Sequence, residues 1–271
     1  MSKSSALFII TMACSTILLT GALSPQSAAT SGPYETLFHP QSPPTGAGRL
    51  LDEVIAALTP SPTSRGAEWM SMTLWQKMID GENSFEAEGR LLRGPQHRIR
   101  LELDVKSQKR AKVTHTCDGV TLRQLVHIGS EEPVLYTYLL PGDGTPATAA
   151  ERETFLEQHG IADFLPLLRR LRDGLKNPTQ QTGMWQDLPA ICIAGEWSPR
   201  DDTPAELRPP LRPRACHVYL DAVTRWPFRI EWWGSEKPSQ TPRLLLQMEF
   251  RDVVVNQPIA PEVFSNVASS R

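Results

Sequence analysis

His115 and His127 flank Cys117 and Asp118 in a segment that reads as a hairpin, four groups able to ligate a metal ion or trade protons. Their spacing matches no established zinc pattern, and a strand histidine is more often packed or surface-exposed than ligating. Glu86, Glu88, Glu102 and Asp104 could gather carboxylates on one sheet face for acid–base work. Arg90, Arg98 and Arg100 are interleaved with them, so cross-strand ion pairing on a solvated face is the better reading. Gly129-Ser130 and Gly234-Ser235 fall in turns without a Gly-x-Ser-x-Gly elbow, and no phosphate-cradling glycine loop is present. The chain therefore reads as a non-enzyme with no cofactor and no metal.

The apolar residues are more informative. Trp69, Met70, Met72, Leu74 and Trp75 put large side chains on both faces of one strand, and methionine adapts to acyl chains of variable shape. In 98–105, Ile99, Leu101, Leu103 and Val105 face in while Arg98, Arg100, Glu102 and Asp104 face water. In 218–234, Val218 and Leu220 share a face, then Phe228, Ile230 and Trp232 alternate with Arg229, Glu231 and Trp233. Asp221 can hydrogen-bond the backbone ahead of it in the turn, and Pro227, lacking an N–H, opens the returning strand. The candidate lining of a hollow is thus Met70, Met72, Leu74, Ile99, Leu101, Leu103, Phe228, Ile230 and Trp232, with Phe164 reaching in from a helical lid. Ordinary core is the alternative reading for any one of them.

The elements that must position these residues follow from the periodicity. Leu50, Leu51, Val54, Ile55 and Leu58 form one helical stripe over 49–58, which Thr59-Pro60-Ser61-Pro62 stops. From Trp69 the period is two for about seventy residues, giving six antiparallel strands with turns at Asp80–Asn83, Arg93–Pro95 and Asp118-Gly119. Ala149 to Lys176 reads helical, divided near Gly160 and Pro166 and ended by Asn177-Pro178. Strands resume at 184–188, 190–197, 215–221, 227–233 and 244–255, with a long loop over 198–213. The expected fold is mainly β with a helical lid, α+β, and a sheet of about eleven strands must curl or close.

Ala6 to Leu23 is apolar, follows a single Lys3 and leads to Ser27-Ala28-Ala29, the pattern of a secretory signal over 1–29. An uncleaved membrane anchor is the alternative, since the run is almost long enough to span a bilayer. Thr30 to Gly48 is dense in Pro, Gly and Ser and reads as a linker, leaving 49–271 as one domain. A formal net charge of −2 speaks against a nucleic-acid partner. Export permits disulfides, and Cys192 and Cys216, on strands flanking the long loop, could bridge; buried free thiols are the alternative.

The run V-Y-L-D-x-x-T-x-x-P-x-R-I-E at 218–231 resembles the bacterial outer-membrane lipoprotein carrier superfamily, which includes the LolA and LolB carriers and the RseB-type sensors. Gly89-x-x-x-Arg93-Gly94-Pro95, Arg98-x-Arg100, Cys117-Asp118-Gly119 followed by Leu122, and Pro261-x-x-Phe264 match in the same order, over roughly 49–267. Leu122-Arg123-Gln124, where carriers commonly place an aromatic, and the added lead-in and 198–213 loop mark a diverged member. The resemblance implies a curved antiparallel half-barrel closed by helices, LolA-like, in an exported and periplasmic protein. It implies an apolar cavity for acyl chains of lipid or lipoprotein and no covalent chemistry. An envelope sensor or protein-interaction scaffold with a filled core and a protein partner is the other role the superfamily allows.

Overall fold

The structure is a computed structural model that describes residues 38–40, 45–59, 66–80, 83–106, 110–142, 148–159, 161, 164–197, 212–235 and 241–267. The expected signal segment 1–29 and most of the long loop, 198–211, lie outside the described residues. A short strand β1 (Phe38–Pro40) and helix α1 (Thr45–Leu58) precede a six-strand meander: β2 (Met70–Asp80), β3 (Asn83–Arg93), β4 (Arg98–Lys106), β5 (Ala111–Asp118), β6 (Thr121–Ile128) and β7 (Val134–Leu139). Helices α2 (Ala149–Gln158) and α3 (Phe164–Gly174) follow. The chain then runs through β8 (Leu175–Trp185), β9 (Leu188–Trp197), β10 (Arg212–Asp221), β11 (Pro227–Ser235) and β12 (Arg243–Val255) to a short helix α4 (Glu262–Ser265).

All the described strands join one antiparallel sheet of twelve in the order β1-β8-β9-β10-β11-β12-β2-β3-β4-β5-β6-β7. β12 pairs with β2, so the two meanders are sewn side by side, and the sheet is curved but not closed, a half-barrel with β1 and β7 at its edges. The turns form for the reasons their residues suggest. Asp118 accepts from the N–H of Val120 and Thr121 at 3.0 and 2.8 Å, and Gly119 follows at φ +97, where a side chain would be strained. Asp221 accepts from the N–H of Val223 and Thr224 at 2.9 and 2.6 Å. Within β3, a Cβ on Gly89 would stand 1.7 Å from the Glu102 carbonyl oxygen, so only glycine permits this approach of β3 to β4.

Several expectations need correction. Phe38–Pro40 pairs with β8 and α1 starts at Thr45, so the stretch read as linker already contributes a strand and a helical turn. The helical insertion ends at Gly174, and Asn177-Pro178 lies inside β8 at a register shift between Lys176 and Thr179. Asn177 has φ +49 there, and a bulge is where a strand tolerates proline. The expected Cys192–Cys216 bridge is absent, and all three described cysteines are buried free thiols. Cys192 stands opposite Tyr219 and Cys216 opposite Gly195, an odd offset that sends their side chains to opposite faces of the sheet. Burial pushes the Cys117 thiol up to about 11 and Cys216 well above its ordinary value, so both stay protonated.

Candidate ligand-binding site

Alternation divides the sheet into a concave face roofed by helices and a convex face. On the concave side Met70, Met72 and Leu74 of β2, Ile99, Leu101 and Leu103 of β4, and Ile230 and Trp232 of β11 lie in one buried apolar cluster. Met248 and Phe250 of β12 fill the gap between β11 and β2, and Val218 and Leu220 of β10 extend the cluster beyond β11. The roof is α1 through Ala47, Leu50, Leu51 and Val54, and α3 through Phe164, Leu167, Leu168 and Leu171, with Leu156 from α2. Phe164 stacks on Trp226 at 5.1 Å between centroids and meets Phe250 edge-on at 4.6 Å. These wall residues are no more than 4% exposed and share one buried cluster with the side chains of the roof.

Phe228 departs from the expected lining. Tyr219 pairs with Arg229 but Leu220 with Pro227, so Phe228 is the extra residue of a β-bulge. That one-residue slip turns its ring to the convex side, where it packs on Tyr219 at 6.4 Å. The histidines also separate: His115 is buried on the concave side while His127 is exposed on the convex side of the next strand. Among the described residues, no group of three or more His, Cys, Asp or Glu is placed to hold a metal ion.

The concave interior is not uniformly apolar. The Trp232 indole Nε1 is buried and has no hydrogen-bond partner among the described residues, a donor stranded in an apolar wall. Towards β5 and β6, Gln124 Nε2 lies 3.3 Å from His115 Nδ1 and donates at 2.5 Å to the His159 carbonyl oxygen. The His159 ring packs against Phe155 and Tyr138 at 4.2 and 4.4 Å. Burial, with His159 nearby, pulls the His115 imidazole down to about 4, so it is neutral at physiological pH. The roof helices are tied to one another by exposed ion pairs, Arg172 of α3 to Asp52 of α1 at 2.7 Å and Arg169 of α3 to Glu153 of α2 at 3.6 Å. Such pairs contribute about 0 to 1 kcal/mol each.

The convex face carries what the sequence did not disclose. Arg229 and Glu231, expected opposite the apolar lining on β11, are 3% and 0% exposed. Arg229 donates to Glu231 Oε1 at 2.7 Å and to Glu249 Oε1 at 2.6 Å, while the Tyr219 hydroxyl and the Trp233 indole donate to Glu231 Oε2 at 3.1 Å each. Trp185 of β8 lies over the Arg229 guanidinium at 4.2 Å and closes the cluster. Burial, together with Cys192 and Glu231 nearby, holds the Tyr219 hydroxyl far above its ordinary pKa. Arg100, expected to face water, is instead covered by the C-terminal segment: it pairs with Glu102 and donates to the Val263 carbonyl at 2.8 Å and to that of Asn266. Phe264 anchors that segment against Trp69.

Two cavities are prominent. One of about 530 Å³ runs on the convex side between the sheet and the C-terminal segment, lined by Ser71, Leu92, Arg100, Val254, Ile259 and Val263 among others. The other, about 260 Å³, opens between the β3–β4 turn and helices α2 and α3, and of the expected lining it includes Ile99 alone. No described helix is long and apolar enough to cross a membrane.

No family model and no curated protein matches the chain. Solved structures similar to it include a DUF1329 family protein from Desulfovibrio piger, 7% identical over 83% of this chain and 98% of that one, with a TM-score of 0.37. MucB of Pseudomonas aeruginosa, in its complex with MucA, is 13% identical over 81% of this chain and 60% of that one, with a TM-score of 0.36. A LolA superfamily protein from Nitrosomonas europaea is 8% identical over 81% of this chain and 97% of that one, with a TM-score of 0.29. At these values the likeness is one of outline, and what the site can do has to be read from its own residues.

Proposed function

We propose that the chain is a non-catalytic carrier or chaperone of the bacterial envelope that holds the acyl chain of a lipid or lipidated protein between the concave face and helices α1 to α3. The observation that carries this reading is Trp232: a buried indole N–H without a partner costs about 1 to 3 kcal/mol, and the ester or amide carbonyl of an acylated cargo would satisfy it. The wall around it is apolar from β10 through β12 and β2 to β4, and each cargo CH₂ buried there adds about 0.8 kcal/mol. Because the roof already lies on the wall, cargo binding displaces roof side chains, and the exposed ion pairs that tie the helices together offer little resistance. Export agrees with the signal pattern over 1–29.

A second reading is favoured by the occupied interior and the convex groove: an envelope sensor or scaffold whose core is filled by its own side chains and whose outer surface binds protein. Mass spectrometry of organic extracts from the protein purified out of its native envelope separates the two. Co-purifying lipid or acylated protein is expected; a repeatedly empty, well-folded protein would overturn the carrier reading in favour of the scaffold.

A further inference from the structure

The smaller cavity sits where the concave interior meets the surface. Its deep side is Ile99, Leu156 and Ile161, all members of the concave cluster and each no more than 4% exposed. The rest of its lining is largely polar, Arg93, His97 and Arg98 at the β3–β4 turn together with Glu68 and Glu153. Glu153 is engaged by Arg169, and Arg93 reaches the Ala67 carbonyl at 3.5 Å. Arg98 lines this opening, is half-buried, and pairs with no carboxylate among the described residues. The turn that presents it is strained: Gln96 and His97 take φ +58 and +60 in succession, a conformation that favours Asn-Gly and is costly for these residues. Backbone bonds from Gly94 N to Arg98 O at 2.8 Å and from Arg98 N to Pro95 O at 3.3 Å hold it there.

We propose that this opening is the mouth of the concave interior and that Arg98 receives the anionic head of an amphiphile whose chain passes inward over Ile99, Leu156 and Ile161. This rests on the carrier reading and adds to it a headgroup preference, a phosphate or carboxylate rather than a neutral or cationic group. A planar guanidinium suits a two-pronged bond to such a head, and the apolar floor excludes an anion that lacks a chain.

The test is calorimetric titration of the purified protein with decyl phosphate, decanol and inorganic phosphate, each below any micelle concentration, alongside an Arg98→Gln variant checked for an unchanged unfolding midpoint. Decyl phosphate is expected to bind at least roughly tenfold more tightly than decanol, and Arg98→Gln to remove that advantage while leaving decanol unaffected, the size of one charge-assisted hydrogen bond. Inorganic phosphate alone is expected not to bind. Equal affinity for the two amphiphiles, untouched by Arg98→Gln, overturns the head site and leaves the interior reading standing. Inorganic phosphate competing as well as decyl phosphate overturns it in favour of a free-anion site. Failure of both amphiphiles to bind overturns the head site and the carrier reading together.

Discussion

The two faces of strands β10 to β12 are built on opposite principles from the same alternating chain. Inward, Val218, Leu220, Ile230, Trp232, Leu246 and Met248 present hydrocarbon to helices that belong to a separate stretch of sequence. Outward, Tyr219, Arg229, Glu231, Gln247 and Glu249 build a hydrogen-bonded cluster, with Trp185 over Arg229 and the His217 ring 3.8 Å from Glu231. Both faces are buried, but apolar contact has no direction and tolerates a change of partner, whereas bonds among buried charges hold in one arrangement only. The convex cluster therefore suits a fixed frame, and the proposed carrier function requires only the cover of the concave wall to be exchanged.

Breaking the frame should give the largest effect. Arg229→Ala leaves Glu231, which is fully buried, with only neutral donors and the His217 ring at 3.8 Å, and removes the cation under Trp185. Loss of one partner of a buried pair costs about 3 to 5 kcal/mol, read as a lower urea midpoint. Replacing Arg229 and Glu231 together by leucine should recover a good part of that loss, since no charge is then stranded. A single variant within about 1 kcal/mol of the parent would remove the cluster from the role of frame.

Acid should discriminate between the faces. His115, on the concave side, has its pKa lowered from 6.5 to about 4, so the folded state favours the neutral ring. Its contribution is complete above pH 6.5 and is lost as pH falls from there toward 4, on the order of 3 kcal/mol in all. The turn carboxylates act in a lower window. The Thr224 amide holds Asp221 below its ordinary value, and at Asp118 the bonds from Arg123, Thr121 and Val120 outweigh the upward pull of burial. Their stability is present above the ordinary carboxylate pKa and is lost only as pH falls through the depressed one. Chemical denaturation between pH 7 and 4.5 should thus show a slope that His115→Gln flattens; an unchanged slope would show that the concave side is not what acid loosens.

The strands were legible because alternation and the Asp-centred turns act over a few residues, and these set the meander, the hairpin at 218–231 and most of the buried inner face of the sheet. Three things were not. A one-residue bulge at Phe228 reverses a face without leaving a mark in the pattern, since Phe228, Ile230 and Trp232 alternate as if unbroken. Leu175 to Pro178 continues a helical stripe into a proline, and only pairing with β9 makes it a strand. The burial of Arg229, Glu231 and Arg100 depends on Trp185 and on Val263 and Asn266, partners 44 residues or more away in sequence, whereas alternating Arg and Glu locally describe a wet face. Of the candidate site, the buried inner face was visible and the proposed mouth was not, because the left-handed pair Gln96-His97 carries none of the residues such a turn prefers.

That turn sharpens the comparison with the smallest effect. The β10–β11 turn has a side chain suited to it, Asp221, which bonds the amides of Val223 and Thr224, and only Arg225 there takes a positive φ, +61. The β3–β4 turn at the proposed mouth has two successive left-handed residues, Gln96 and His97. Gln96→Asn with His97→Gly supplies the preferred pair and should stabilise the protein by about 1 kcal/mol, seen as a raised thermal midpoint. If the frame is rigid and the mouth is where the molecule gives way, the same double change should slow uptake of decyl phosphate while leaving the Arg229 cluster, and hence the cost of Arg229→Ala, unaltered. A gain in stability with uptake unchanged would mean that the strained turn presents Arg98 but takes no part in opening.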